Sequence, residues 1–255
     1  MPAMDETLKR IVSALDAELR TNEVPDYPGA LNGLQLNSSG RVSRVAAAVD
    51  ASLPVVRKAV EAGADLLIVH HGMFWNGAKP VTGALYEKLK IAMDAGLAIY
   101  SAHIPLDVHP TLGNNALLVR AVGLEDPTPF FPWEGIELGL SGEWVGDLAS
   151  LVVAVEGAVG SKVHVRGDLS KSAGRVGVIT GGAGSEVEAI AEAGIDTFVT
   201  GEGPHWSYTA AEELGINVVY GGHYATETFG VRALAGYLEE TFGLPWSFLD
   251  HPTGL

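Results

Sequence analysis

Two adjacent histidines at the end of an apolar run, and two more histidines each four residues ahead of a carboxylate, are the side chains of this 255-residue chain best suited to chemistry. Asp65-Leu66-Leu67-Ile68-Val69 reads as a buried strand that runs into His70-His71-Gly72, as a strand delivering ligands to its carboxyl end would. Neighbouring residues on a strand face opposite ways, so both imidazoles reach one site only if the chain leaves the strand between them. Gly72 makes such a turn cheap. The alternative is a pair of ordinary loop histidines. His103 precedes Asp107 by four residues and His223 precedes Glu227 by the same spacing. If the turn at His223 is helical, its side chain and that of Glu227 share one face and can share a metal ion; otherwise Glu227 is a favourable first-turn acid.

An internal repeat ties these groups together. A shift of 131 positions carries Arg44-Val45 onto Arg175-Val176 and Glu61-Ala62-Gly63-Ala64-Asp65 onto Glu192-Ala193-Gly194-Ile195-Asp196. A shift of 120 sets Tyr100-Ser101-Ala102-His103 against Tyr220-Gly221-Gly222-His223, and Asp107 against Glu227. Two copies of a βαβ-rich unit are expected, each ending an apolar strand in His-x-x-x-carboxylate. The paired histidines are replaced in the second copy by Gly201-Glu202, which points to one site built mainly by the first lobe and completed by the second.

The elements that must position these groups follow from periodicity and punctuation. Leu8, Ile11, Leu15 and Leu19 recur at helical spacing, and residues 21–39 read as a long loop with Asn32-Gly33 as a local turn. Strand 42–49, a helix from Leu53 or Pro54 to Glu61 and the strand bearing His70 make a parallel βαβ unit, and ligands collect at the carboxyl ends of such strands. Met73-Phe74-Trp75, beside Asn76-Gly77, is read as a wall of the site or a subunit contact. Helices are expected over 82–95, from Asn114 to Val122 and over 147–159, with 126–133 as the linker. Pro105 argues against regular helix between His103 and Asp107. His164, alternating with valines, is given a structural or surface role. Gly181-Gly182-Ala183-Gly184-Ser185 matches neither the dinucleotide fingerprint nor the P-loop, and Ser185 with Glu188 reads as a capping box. Asn217–Tyr220 is taken as the last strand.

Composition narrows the partners. A formal charge of −15, with 16 scattered Lys and Arg, opposes nucleic-acid backbones and suits cations. Hydrophobic content of 47% against 18% charged residues suggests apolar surface covered by another subunit. Without cysteine there are no thiolate ligands. No apolar run approaches a membrane span and nothing resembles a signal peptide, so no membrane partner and a cytoplasmic location are expected.

Asn32-Gly33-Leu34-Gln35, His70-His71-Gly72-Met73-Phe74-Trp75, His103-Ile104-Pro105-Leu106-Asp107, Gly113-Asn114-Asn115-Ala116, Val199-Thr200-Gly201-Glu202 and Gly222-His223-Tyr224-Ala225-Thr226-Glu227 together resemble the NGG-interacting-factor-three family, whose members are called GTP cyclohydrolase I type two homologues. The resemblance spans nearly the whole chain and matches the short bacterial form. Many members have Thr-Asn where Ile104-Pro105 stands. It implies an α/β fold of two interlocked, pseudo-symmetric lobes, drawn as 1–126 and 173–255 with 127–172 connecting them. It also implies two divalent metal ions per subunit held by His70, His71, Asp107, His223 and Glu227, and a ring-shaped homohexamer. Zn, Mn, Fe, Co or Ni all fit imidazole and carboxylate donors. The expected function is a metal-dependent hydrolase acting on a nucleotide or similar small molecule through a metal-shared water, with Glu227 bridging and His103 as acid or base. The alternatives are a metal-delivery protein and an oligomeric scaffold.

Overall fold

The computed structural model describes residues 5–75, 77 and 79–255; Asn76, of the Asn76-Gly77 turn, lies outside them. The chain begins with helix α1 (Glu6–Leu19), capped by Asp5, and strand β1 (Gly33–Leu36). Strand β2 (Val45–Asp50), helix α2 (Leu53–Glu61), strand β3 (Leu66–His71), helix α3 (Gly83–Ala95), strand β4 (Ala98–Ser101) and the single-turn helix α4 (Ile104–Asp107) follow. Then come α5 (Asn114–Val122), β5 (Thr128–Trp133), β6 (Ile136–Asp147), α6 (Leu148–Val159), β7 (His164–Arg166) and β8 (Ser172–Val178). A 3-10 turn at Ala183–Glu186 leads to α7 (Val187–Glu192), β9 (Thr197–Thr200), α8 (His205–Leu214) and β10 (Asn217–Tyr220). The chain closes with α9 (His223–Thr226), α10 (Thr228–Phe242) and β11 (Trp246–Phe248).

These elements form two compact α/β units, each with its own sheet. The first comprises residues 1–106 and 230–251, the second residues 107–229 and 252–255. In the first, the strand order is β1-β4-β3-β2-β11, parallel except for β1 against β4. Parallel strands covered on both faces read as continuous apolar runs, and Leu66, Leu67, Ile68 and Val69 are all fully buried. Helix α2 is set by Ser52, whose hydroxyl accepts from Val55 N, and by Pro54 in its first turn. The second unit orders its strands β5-β6-β8-β9-β10-β7, with a parallel β8-β9-β10 centre flanked by antiparallel strands. Two apolar clusters pack it, one around Leu118, Leu151 and Val176 and one around Phe130, Ile190 and Phe198.

Several expectations are corrected here. Residues 127–172 are more than a connection: they supply β5, β6 and β7 to the second unit's sheet. Residues 126–133, expected as linker, include β5, whose Pro129 and Pro132 are tolerated because β5 is an edge strand. The stretch 21–39 contains β1, and β11 follows the strand taken as last. Residues 230–251 belong to the first unit. Proline at the second residue of α4 does not prevent a helical turn between His103 and Asp107, because a first-turn N–H has no intrahelical acceptor to lose.

Candidate metal centre

Strand β3 extends through both histidines, so the chain does not turn between His70 and His71. Their ring centroids still lie 4.8 Å apart, and that of His103, just after β4, lies 4.9 Å from His70 and 5.7 Å from His71. One nitrogen from each of the three falls within 4.8 Å of the others. Gly72 serves close approach rather than a turn: a Cβ there would stand 2.1 Å from Gln35 Nε2, and Gln35 Oε1 accepts from Met73 N at 2.7 Å.

Each imidazole is gripped from behind. His70 Nδ1 donates to Ala102 O at 2.9 Å, His71 Nδ1 to Asp50 Oδ1 at 2.9 Å, and His103 Nδ1 to Asp26 Oδ1 at 2.8 Å. The acceptors carry no hydrogen, which assigns the proton to Nδ1 and makes Nε2 the basic nitrogen of the neutral ring. Such partners fix the tautomer and orientation of metal-binding histidines. Asp50 reaches His71 because the two are paired across β2 and β3. Asp26 is saturated: Oδ1 also accepts from Tyr27 N, and Oδ2 from Asn32 Nδ2 and Ile104 N. Burial alone would raise the Asp26 carboxyl, but the hydrogen bond and charge of His103, with Asn32 and Tyr27, hold its pKa below the ordinary value. Asn32 also accepts from His103 N at 2.8 Å, so it clamps the site in addition to any turn it makes. Trp75 walls this cluster, its ring edge-on to His103 at 4.6 Å and to His71 at 5.8 Å.

In the second unit, His223 Nδ1 donates to Glu202 Oε1 at 2.8 Å and Nε2 lies 3.2 Å from Glu227 Oε1. Burial would lower the His223 pKa, but hydrogen bonds and charge from Glu227 and then Glu202 raise it to about 9 in the metal-free protein. The helix expected to start at His223 is broken: α9 ends at Thr226, and Glu227 stands between it and α10 with φ −106°. The backbone of Gly181 fits against that carboxylate, since a Cβ there would lie 2.2 Å from Glu227 Oε1, and its φ is +71°. The Gly-rich loop thus makes room for Glu227. Ser185 lies inside the 3-10 turn and Glu186 precedes α7 with no side-chain cap, so the capping-box expectation does not hold. Asp107 is buried, and its Oδ1 accepts from Asn114 Nδ2 at 2.8 Å and Thr180 Oγ1 at 3.2 Å.

The sequence reading missed the orienting groups Asp26, Asp50, Glu202, Asn114 and Thr180. Asn114 and Glu202 had a signal, inside quoted motifs; Asp26, Asp50 and Thr180 lie far along the chain from the groups they hold.

Imidazoles pinned through Nδ1, with carboxylates and no thiolate, fit divalent metals of the Zn or first-row transition class. Among the described residues there are two candidate divalent-metal clusters, one of His70, His71 and His103 in the first unit and one containing His223 and Glu227 of the second. These features define an α/β metal-binding protein. The chain belongs to the Duf34/NIF3 (NGG1p interacting factor 3) family, whose model matches residues 6–253. It is 45% identical over 248 residues to a GTP cyclohydrolase 1 type 2 homolog of Deinococcus radiodurans, covering 96% of this chain and 93% of that one. Its fold matches the solved structure of TTHA1606 from Thermus thermophilus with TM-score 0.84 and 40% identity, over 98% of this chain and all of the other. Protein ybgI, described as of unknown function, matches with TM-score 0.87 and 34% identity over 97% and 99% of the two chains. Among the described residues no helix is long and apolar enough to cross a membrane.

Proposed function

We propose that this chain is a metal-dependent hydrolase acting on a nucleotide or similar small molecule. In this reading His70, His71, Asp107, His223 and Glu227 hold two divalent ions, and His103 moves a proton. One observation carries the reading: four imidazoles have Nδ1 fixed by an oxygen acceptor. When bound, two such ions would supply Lewis acidity and an acidified water. Asp26 orients His103, and an imidazole so held can accept a proton at Nε2 and return it to a leaving group. Asn114 and Thr180 aim Asp107 by donating to its Oδ1. The name of the Deinococcus relative favours a guanine nucleotide as the first substrate to test.

The test is a metabolite screen of metal-loaded protein beside His70→Ala, scoring turnover that vanishes in the variant. GTP turnover equal in both proteins would reject the reading. Metal content of His103→Ala is the companion measurement: retained metal with lost turnover supports a proton-transfer role, and lost metal makes His103 a ligand. A metal-delivery role is the second reading, favoured by the partial exposure of His223 and Glu202, 27% and 39% by side chain. Rapid metal exchange without turnover would select it.

We infer a homohexamer, supported by the exposed Val145, Val153 and Met93; a monomeric mass by light scattering would overturn it. We also infer that the two sheets descend from one duplicated βαβ unit. Supporting this, Val45 pairs with Leu66 and Val176 with Thr197, both offset by 131. A cytoplasmic location completes the proposal.

A further inference from the structure

His164, given a structural or surface role from the sequence, sits on one wall of a cavity of about 620 Å³ in the second unit. That volume falls within the range of small-molecule sites. The same cavity is bounded by Glu202, the carboxylate that holds His223, and by the backbone of Gly201 and Gly222. Its side wall is aromatic. The His164 ring lies 5.5 Å from that of Tyr208 at 38° and 6.2 Å from that of Tyr220 at 32°.

The wall is rigid because each ring comes from a regular element. His164 and Tyr220 are paired in register on the antiparallel strands β7 and β10, and Tyr208 projects from α8. The Tyr220 hydroxyl is tied to the fully buried Ser207 at 3.0 Å. Gly203 lets the backbone come close beneath: a Cβ there would meet Ser207 Oγ at 2.6 Å and Tyr220 Cε1 at 3.1 Å. The side chain of Lys162, at the rim, is occupied by Glu156 at 2.7 Å. The recognition surface therefore offers ring faces beside the Glu202 carboxylate.

We propose that this cavity is a subsite for a planar heteroaromatic ring, bound by stacking on His164, Tyr208 and Tyr220 beside the His223 end of the metal centre. The inference rests on the proposed function and names the part of the substrate that this cavity holds. Stacking on fixed aromatic side chains is tolerant of ring identity and needs no charge. Binding energy from such contacts helps position the reacting group.

The test is calorimetric binding of guanosine, with ribose 5-phosphate as the ring-free control, to metal-loaded wild type, Tyr208→Ala, His164→Ala and Tyr208→Phe. Metal content and circular dichroism are measured on the same samples. The expected result is guanosine binding that weakens at least tenfold in both alanine variants and is kept in Tyr208→Phe, with metal content unchanged and ribose 5-phosphate bound weakly or not at all. Guanosine affinity equal in all four proteins, no guanosine binding to wild type, or ribose 5-phosphate bound as tightly as guanosine would overturn the proposal. Wild type that fails to retain metal while still showing the ring-dependent binding would reject the metal-hydrolase reading and leave the subsite standing.

Discussion

The first and second units run the same course through their parallel cores and then part company at the strand ends. In the first, Asp65 accepts from Ser43 N, Ser43 Oγ and Arg44 N, while its own backbone joins Arg44 O and Ala98 N. In the second, Asp196 accepts from Arg175 N and its backbone joins Arg175 O and Asn217 N. Past this shared entry, β3 ends in two imidazoles, whereas β9 ends at Thr200 and is followed by Gly201 and Glu202. The carboxylate at the second strand end does not replace the histidines; it supports one, as Asp50 supports His71. The difference teaches that the backbone pattern is held by buried apolar side chains and paired amides, which leaves the residues at the strand ends open to change of role.

The largest expected effect is removal of a donor. His70→Ala and Glu227→Ala should each lose most of the bound metal, measured by elemental analysis of the purified protein, and full stoichiometric metal in either variant would break the assignment. Next come the supporting acids. Asp50→Ala, Asp26→Ala and Glu202→Gln should weaken metal affinity by roughly 10–100-fold each, and similar losses in the two units would show that the carboxylates do the same work. Gly181→Ala should destabilise the second unit by about 1–3 kcal/mol in denaturant melts, because an αL residue with a Cβ against Glu227 is strained.

A pH series on metal-free protein sharpens the contrast, since His223 lies between two acids. Its folded pKa is raised to about 9 by Glu227 and Glu202, against burial. The stabilisation is fully present below the unfolded value of about 6.5 and lost as pH climbs through about 9. Thermal melts should show this loss in wild type and much less of it in Glu227→Gln. The smallest effect separates the shared entry points. Asp65→Ala should cost roughly 2 kcal/mol and Asp196→Ala roughly 1, because Asp65 accepts more hydrogen bonds and is less exposed.

What the sequence made legible follows from range along the chain. Helix α2, the apolar part of β3 and helix α5 were readable because apolar runs, a first-turn proline and bounding glycines are local signals. Of the two blocks that match within the sequence, the second is offset by one residue from the sheet register. Val69 pairs with Ser101 and Thr200 with Tyr220, a shift of 119 rather than 120. The histidines and their acids were singled out by type and spacing. Asp26 behind His103, 77 positions away, left no such mark, because only the fold brings them together. Strand β1 was hidden by the glycine and asparagines around it, and β11 by its three-residue length.

The first unit is interrupted by the second, and its last strand, β11, lies alongside β2 some two hundred positions earlier in the chain. On a ribosome, residues 107–229 are made before β11, so every strand of the second unit's sheet is synthesised while the first unit still lacks an edge. The alanine-rich β2 must therefore wait with one flank open until synthesis is almost over, which makes that flank the place where a crowded nascent chain is most exposed to pairing with a neighbour.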